Sequence, residues 1–335
     1  MKNNTLAQFA LATLTASVLV ACGGSDSNDD SVSQTATFNL GISDAPIDAA
    51  EAVVVCFNAV ELTGQGQPIQ YEVGVDVEVP AENDLCRDSN GDVMANTIGI
   101  DLLQFTGSEQ APFLQDATID AGNYGQLRLV MSEGSYASVD LAGNGTITDV
   151  PVRVPSNELK LDGFTADAGG NLNFTAEFDL RQGMTNPVGQ EGFILKPRGV
   201  RLVDNSSVGH LQGSVSEELL LNETSCEVAP ADLTTPVAYI YLYEGIGYDL
   251  SALADIGGSE QQQPYASTAV YFDGAASYDF QIGFVSAGEY TAAITCNGND
   301  DSETDDDISF LHTLDVTVEA SNEPQILNFE PVTTQ

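Results

Sequence analysis

Residues 38–45 read FNLGISDA, and this stretch alternates apolar and polar side chains. Phe38, Leu40 and Ile42 fall on one side of an extended chain, and the residues between them fall on the other. A period of two residues is typical of a β-strand that buries one face. Similar short runs follow, separated by clusters of Gly, Asn, Asp and Pro: Ala52–Val60, Tyr71–Val79, Gln126–Met131, Val150–Val154, Asn171–Phe178 and Gly192–Val203.

Helical periodicity is weak throughout the sequence. The two best helical candidates, Ala45–Ala52 and Ile100–Phe105, are both short. Many short strands with polar turns between them are typical of β-sandwiches. The sequence therefore predicts an all-β fold.

A second group of strands follows a change in composition near residues 204–208. No Lys or Arg follows Arg201, whereas Asp and Glu stay frequent. The strands expected in this second group are His210–Val215, Val237–Tyr243, Thr268–Phe272, Ser277–Ile282, Gly288–Cys296, Phe310–Val318 and Gln325–Phe329. That number of strands suits one small sandwich. We therefore expect two tandem β-sandwich domains, residues 37–204 and 209–331.

The charge of the chain limits its ligands. Nine Lys and Arg stand against 50 Asp and Glu among 335 residues, for a net charge of −41. Such a chain repels polyanions, which excludes nucleic-acid binding as a function class. The sequence contains two His, His210 and His312, too few for a multi-His zinc site.

Residues 1–21 have the pattern of an export signal. Lys2 supplies a positive charge, and Leu6–Val20 forms an apolar stretch too short and too polar to span a membrane. The signal ends in LVAC, residues 19–22, which resembles the lipobox of bacterial lipoproteins. That resemblance implies that Cys22 becomes an acylated N-terminus and anchors the protein to a membrane. An ordinary signal peptide followed by a chance Cys is the alternative.

Two further features concern the location of the protein. Position 23 is Gly and not Asp, which in the lipoprotein family's sorting rule favours the outer membrane. Residues 22–36 are rich in Gly, Ser, Asp and Asn, and they predict a flexible tether. We therefore expect an outer-membrane lipoprotein of the cell envelope, facing either the periplasm or the outside.

Four Cys remain after Cys22, and an even number in an exported protein indicates disulfides. Four Cys allow three pairings. The two local pairs fall on either side of the expected domain boundary, so we predict Cys56–Cys86 and Cys226–Cys296. A metal or redox thiol site is the alternative, but the sequence has neither a CxxC motif nor a nearby His.

Several blocks of the first domain, in the same order, resemble the DUF4382 family of bacterial lipoproteins. The blocks are Phe38–Asp48 with its Asp-Ala-Pro, Val53–Val60, Ile100–Phe105, Asp120–Leu129, Phe178–Leu180 and Phe193–Pro197. The segment 64–96 departs from the family pattern as an insertion. This resemblance implies a fold and a location but no reaction, because the family has no established activity.

The second domain is similar, through weaker motifs, to carboxypeptidase-regulatory or prealbumin-like sandwiches. The motifs are Gly213–Val215, Val237–Tyr243 and Ala287–Thr291. In that class the domain is usually an accessory or structural unit.

Two positions could hold functional carboxylates. Asp44 and Asp48 flank Pro46, where they could serve as an acid–base pair or, as we favour, hold a turn and cap a short helix. Asp179 lies in a predicted strand and needs a partner if it is buried. We expect a structural ion pair there, with one of three candidate cations: Arg128, Arg198 and Arg201.

Two acidic segments are weak candidates for calcium. Asp88, Asn90 and Asp92 have the spacing of half a calcium loop, but the rest of an EF-hand pattern is missing. Asp305, Asp306 and Asp307 end an acidic loop that follows Cys296. We interpret both as solvated turns that bind calcium weakly if at all, and we expect no other cofactor.

Tyr239, Tyr241 and Tyr243 alternate with aliphatic residues, so all three share one face of a strand. That face is either a ligand surface that could stack sugar rings or a partner protein, or part of the core.

We expect a non-enzymatic, lipid-anchored binding, adhesion or structural module, with no catalytic residues. Its partners would be the membrane and a glycan or an envelope protein. The alternative is an accessory or hydrolytic enzyme subunit acting on extracellular polymer. A cleft that joined His210 or His312 to a Ser and an Asp would favour the enzyme.

Overall fold

The structure is a computed structural model that describes residues 34–45, 50–64, 66–141, 145–187, 189–222, 226–258, 260–298 and 308–331. The strands of the first sandwich are β1 Thr35–Ala45, β2 Ala50–Thr63, β3 Ile69–Glu72, β4 Ile98–Asp101, β5 Ala111–Asp120, β6 Gly122–Tyr124, β7 Gln126–Met131, β8 Tyr136–Val139, β9 Thr148–Arg153, β10 Glu158–Leu161, β11 Phe164–Ala166, β12 Asn171–Asp179, β13 Met184–Thr185, β14 Phe193–Leu195 and β15 Val200–Asp204. Those of the second are β16 Val208–Ser214, β17 Ala238–Glu244, β18 Ala266–Phe272, β19 Tyr278–Ser286, β20 Gly288–Thr295, β21 Phe310–Val318 and β22 Gln325–Ile326.

Helices are short in the described residues. They are α1 Leu180–Gly183, α2 Glu217–Leu221 and the 3-10 turns Leu102–Gln104, Pro197–Gly199, Asn205–Ser207 and Leu250–Ala252. None of the helices in these ranges has the length and apolar character needed to cross a membrane. The predicted all-β sandwich fold is confirmed.

The first sandwich forms around β1, the strand with the FNLGISDA alternation. β1 pairs in parallel with β12 and antiparallel with β5, in a four-stranded sheet of order β15-β12-β1-β5. The facing sheet runs β10-β7-β2-β8-β9-β14-β13, with β3 and β4 paired to β2. Phe38, Leu40 and Ile42 are fully buried between the two sheets. They pack in one cluster with Phe57, whose ring lies 5.2 Å from that of Phe113.

The second sandwich is a seven-stranded arrangement of order β21-β20-β17-β18-β19-β16-β22. β18 pairs with β17 through Ala266–Val270 and with β19 through Tyr271 and Phe272, so it passes from one sheet to the other. A separate apolar core fills the space between them. The 3-10 turn Asn205–Ser207 links the last strand of the first sandwich to β16.

Both predicted disulfides are confirmed. Cys56–Cys86 attaches the 64–96 insertion to β2, and Cys226–Cys296 attaches the segment after α2 to the end of β20.

The sequence does not predict β5, β8 or β10. In β5 a bulge near Asp116, which has a left-handed φ of 52°, shifts the register and breaks the alternation. The helical candidate Ile100–Phe105 is the end of β4 followed by one 3-10 turn. The helical candidate Ala45–Ala52 begins in β1, at Ala45, and ends in β2, which starts at Ala50. Residues 46–49 between them lie outside the described part of the chain.

Candidate functional site

The Tyr face of β17 lies at the seam between the two sandwiches. Tyr239, Tyr241 and Tyr243 share one face, as the alternation predicts, but only 3%, 0% and 0% of their surfaces are exposed. The loop after β17 packs Leu253 and Ile256 against them. The interpretation as a ligand surface is therefore wrong for Tyr241 and Tyr243, because other parts of the chain cover them, whereas Tyr239 belongs to the lining of the groove described below.

Arg181 reaches this Tyr face from α1 of the first sandwich. Its guanidinium carbon lies 4.1 Å from the centre of the Tyr239 ring. Its Nη2 donates to the Tyr241 hydroxyl at 3.3 Å and to the Gly298 carbonyl oxygen. A desolvated cation on an aromatic face is worth about 2 kcal/mol, so Arg181 is a major contact holding the sandwiches together.

Asp179 joins the two sandwiches beside Arg181. Its Oδ1 accepts from the Gln182 backbone N–H at 3.1 Å and caps α1, while its Oδ2 accepts from the Ser267 N–H at 3.0 Å. Among the described residues Asp179 forms no close ion pair with the expected cations, because backbone and amide donors fill the carboxylate's bonding positions. Burial raises the pKa of Asp179, and the charge of Arg201 opposes that shift from farther away. The candidate cations have other partners: Glu61 for Arg128 at 3.0 Å, the Gln182 carbonyl for Arg198 at 2.9 Å and the Tyr265 carbonyl for Arg201 at 3.0 Å.

Two further carboxylates are buried near the seam. Asp44 and Glu177 are both 0% exposed, and none of their carboxylate oxygens has a hydrogen-bond partner among the described residues. Burial raises the pKa of Asp44 well above its usual range and raises the pKa of Glu177 to about 8, with Arg201 opposing the second shift. Glu177 is therefore mainly a neutral acid at pH 7.

Asp44 does not hold a turn as the sequence predicts. It lies within β1, and its side chain is enclosed. Asp48 lies outside the described residues. Because the folded chain fully encloses Asp44, a substrate has no access to it, and the acid–base interpretation gains no support.

A groove of about 1880 Å³ lies where the two sandwiches meet. The first sandwich contributes Leu103, Ile147 and two carboxylates, and the second contributes most of the remaining wall. The carboxylates that line it are Glu51, Asp140, Glu227, Asp232 and Asp279. Exposed apolar side chains stand among them: Ile326 is 63% exposed and Leu233 is 47% exposed.

The sandwiches touch closely at one side of this groove. The Gln281 amide donates to the Thr106 hydroxyl at 3.3 Å. Gly283 and Gly107 bring their backbones together so closely that a Cβ on Gly283 would overlap the Gly107 carbonyl. The groove therefore has a tight backbone contact at its edge.

The calcium candidates form no metal centre in the described residues. The Asp88 Oδ1 accepts from the backbone N–H groups of Asn90 and Asp92, at 2.8 and 3.0 Å, so the carboxylate holds its own turn. Within the described ranges no three His, Cys, Asp or Glu side chains are placed to hold a metal ion. Asp305, Asp306 and Asp307 lie outside the described residues, as does Cys22.

Both His have structural surroundings. His210 is 5% exposed, and its Nδ1 accepts from the Phe284 N–H at 3.2 Å. Burial lowers its pKa. The ring of His312 packs edge-on against Phe329 at 6.3 Å. These contacts give neither His a catalytic role.

The sequence does not point to the groove or to Arg181. The groove forms from loops of two sandwiches that are far apart in sequence. The sequence signal that could have indicated Arg181 is the rarity of basic residues. With nine Lys and Arg in so acidic a chain, each one is a candidate for a specific contact.

Comparisons with known structures give weak similarities. A leucine-rich repeat protein from Bacteroides thetaiotaomicron is 11% identical, with a TM-score of 0.20 over 90% of this chain and 26% of that one. A candidate adhesin from Bacteroides ovatus is 10% identical, with a TM-score of 0.20 over 94% of this chain and 96% of that one. A Streptococcal ancillary pilin is 10% identical, with a TM-score of 0.18 over 89% of this chain and 63% of that one. Superpositions at this level establish no function.

Sequence comparison gives one firm result. No curated protein matches the chain. Residues 35–197 match the family described as "Domain of unknown function (DUF4382)", which confirms the resemblance seen in the ordered blocks of the first sandwich. The likeness of the second sandwich to carboxypeptidase-regulatory or prealbumin-like domains stays a prediction. The chain carries a DUF4382 domain over residues 35–197.

Proposed function

We propose that this protein is a non-enzymatic binding module of the cell envelope, with its ligand site in the groove between the two sandwiches. The observation that carries this proposal is the lining of the groove. Five carboxylates and several exposed apolar side chains line it, and the lining residues, all in the described part of the chain, include no Lys or Arg. A concave surface with both kinds of group is suited to binding.

The charge of the groove indicates the kind of ligand. Carboxylates that share a wall without counter-charges repel one another, and a cationic ligand relieves that repulsion. The exposed Leu233 and Ile326 add apolar contacts. The fitting ligand is a segment of an envelope protein that carries Lys or Arg between small apolar residues.

The location of the module is part of the same proposal. A lipid on Cys22 would hold it to the outer membrane, and the segment 22–36 would act as a tether. The residues that support this are LVAC at 19–22 and the Gly, Ser, Asp and Asn that follow. Mass spectrometry of membrane-extracted protein should find an acylated Cys22 as the mature N-terminus. An unmodified, freely soluble mature chain would contradict the anchor while leaving the groove proposal standing.

Peptide titration tests the groove. The full chain is titrated with a fluorescent Lys-Ala repeat peptide and with its Glu-Ala counterpart. We expect saturable binding of the Lys peptide alone, weakened by added salt because the attraction is electrostatic. The double variant Asp232→Asn with Asp279→Asn should weaken binding about tenfold or more.

A matched control separates a site from general attraction to an acidic protein. The double variant Asp162→Asn with Asp167→Asn removes the same charge from two exposed positions outside the groove. It should leave the affinity nearly unchanged. Equal weakening by both double variants would show that the peptide follows net charge, and the groove proposal would be wrong.

A further inference from the structure

A second and smaller cavity lies on the outer face of the four-stranded sheet β15-β12-β1-β5. Its volume is about 230 Å³, and it shares no lining residue with the groove. Five of its lining residues are amides: Asn39, Gln110, Gln115, Asn173 and Asn205. Gly41, Pro112 and Phe174 complete it. We call this cavity the amide cradle.

The parallel pairing of β1 and β12 forms one side of the amide cradle. Asn39 lies opposite Asn173 in the register, and both project from the outer face because the residues beside them fill the core. The Asn39 Nδ2 donates to the Asn173 Oδ1 at 3.0 Å, and its Oδ1 accepts from the Asp116 N–H at 2.7 Å. The bulge in β5 that breaks the sequence alternation therefore fixes one amide of the cradle.

Thr175 fixes two amides on the other side of the amide cradle. Its hydroxyl lies 2.7 Å from the Gln110 Oε1 and 2.8 Å from the Asn205 Oδ1. Gln110 crosses directly over Gly41, where a Cβ would overlap the Gln110 amide and no other side chain. A glycine at position 41 is therefore needed for Gln110 to lie where it does.

Three of these amides have a polar atom left for a ligand. Asn173, Asn205 and Gln110 use one amide atom within the network, and among the described residues the other atom has no protein partner. An amide offers both donors and acceptors, and a hydroxyl group does the same. The cradle can therefore bond hydroxyls whichever way its amides are turned.

The lining also indicates that the ligand is neutral. Asp and Glu account for 50 of 335 residues, yet none of the described residues that line the cradle is charged. A volume of about 230 Å³ equals that of roughly eight waters, at about 30 Å³ each, which suits one small ring with its hydroxyls. The exposed Pro112 supplies an apolar surface beside the amides for the C–H groups of such a ring.

We propose that the amide cradle binds one neutral sugar residue of a glycan. This site is independent of the groove and would give the module a second ligand on a different face.

Saturation-transfer NMR on the full chain tests the proposal. The probes are the methyl glycosides of glucose, galactose, mannose and N-acetylglucosamine, with methyl glucuronide as the charged comparison. Any detergent used must lack a sugar headgroup. We expect at least one neutral glycoside to bind with a millimolar dissociation constant, and the glucuronide to bind more weakly than the parent glucoside. No binding of any neutral probe up to about 50 mM would overturn the proposal, and so would a preference for the glucuronide.

Two cradle variants test whether the glycoside binds in the amide cradle. Gln110→Leu with Asn205→Leu removes two amides, and Gly41→Ala displaces Gln110. Each should weaken glycoside binding about tenfold or more, whereas Gln70→Leu, at an exposed amide on β3, should not. Because the new methyl group at position 41 meets only the flexible Gln110 side chain, Gly41→Ala tests the cradle even if the double variant fails to fold. Glycoside binding that survives in a folded cradle variant would show that the sugar binds elsewhere and would refute the cradle.

Discussion

The substitution Glu177→Gln should stabilise the protein, and increasingly so as the pH rises. Glu177 is fully buried and has no hydrogen-bond partner in the described part of the chain, and burial raises its pKa from 4.5 to about 8. Between these two values the folded chain holds a proton that the unfolded chain has released. The free energy of unfolding therefore falls by about 1.4 kcal/mol for each pH unit across that interval.

The size of the effect follows from the same two values. Relative to a chain with no titratable group at this position, Glu177 costs little near pH 4.5, roughly 3 kcal/mol at pH 7 and roughly 5 kcal/mol above pH 8. Gln has nearly the same shape and carries no charge, so it removes this cost. The raised pKa values of Asp44 and Asp179 add pH dependence in the same direction. Burial, the largest cause of both shifts, stays in the variant, whereas the repulsion that Glu177 exerts on Asp44 is removed.

Urea unfolding of the full chain at several pH values between about 5 and 8 measures the effect. The difference in unfolding free energy between Glu177→Gln and the parent should increase steadily with pH. Glu72→Gln, at an exposed position on β3, is the matched control and should show no such increase. A difference that stays constant or shrinks with rising pH would refute the burial argument.

Three further predictions concern the seam and the disulfides. Gly283→Ala should destabilise the chain by about 2 kcal/mol or more in thermal unfolding, because the new methyl group has no room against the Gly107 backbone. In the control Gly125→Ala the new methyl group meets nothing closer than 3.9 Å, so its effect should be much smaller. Equal effects of the two substitutions would contradict the close contact. Arg181→Ala should lower the free energy of unfolding in urea by about 2–4 kcal/mol, since it removes the contacts to Tyr239 and Tyr241 together. A decrease below about 0.5 kcal/mol would show that Arg181 does not join the sandwiches. Replacing Cys226 and Cys296 together by Ser should lower the free energy of unfolding by about 3–4 kcal/mol. Urea unfolding of the variant and the parent under oxidising and reducing conditions measures this loss. A variant as stable as the oxidised parent would contradict the stabilising role of the disulfide.

The fold was predictable because its main signal is local. The alternation of Phe38, Leu40 and Ile42 records which side of β1 faces the core, and the same signal marks β7, β12 and β21. Alternation does not predict β5, because the bulge at Asp116 changes which residues face inward partway along the strand. The disulfides were predictable from the positions of four Cys in relation to a change in composition.

The sites were harder to predict because they depend on contacts between distant segments. Alternation places Tyr239, Tyr241 and Tyr243 on one face, but it contains no information about what covers that face. The cover is Arg181 and a loop, and neither has a local pattern that indicates it. For the same reason the sequence predicts a cation as the partner of Asp179, whereas the fold supplies the Ser267 N–H from the other sandwich.

Hydrogen exchange of the full chain with and without the Lys-Ala peptide shows whether the groove between the sandwiches is a ligand site. We expect bound peptide to slow exchange of backbone amides in the wall around Asp232–Val237 and in β19 near Asp279–Gln281, which line the groove. We expect no change in β3 or β10, which do not line the groove. Saturable binding that protects other surfaces and leaves the two groove segments unchanged would show that the groove is not the ligand site.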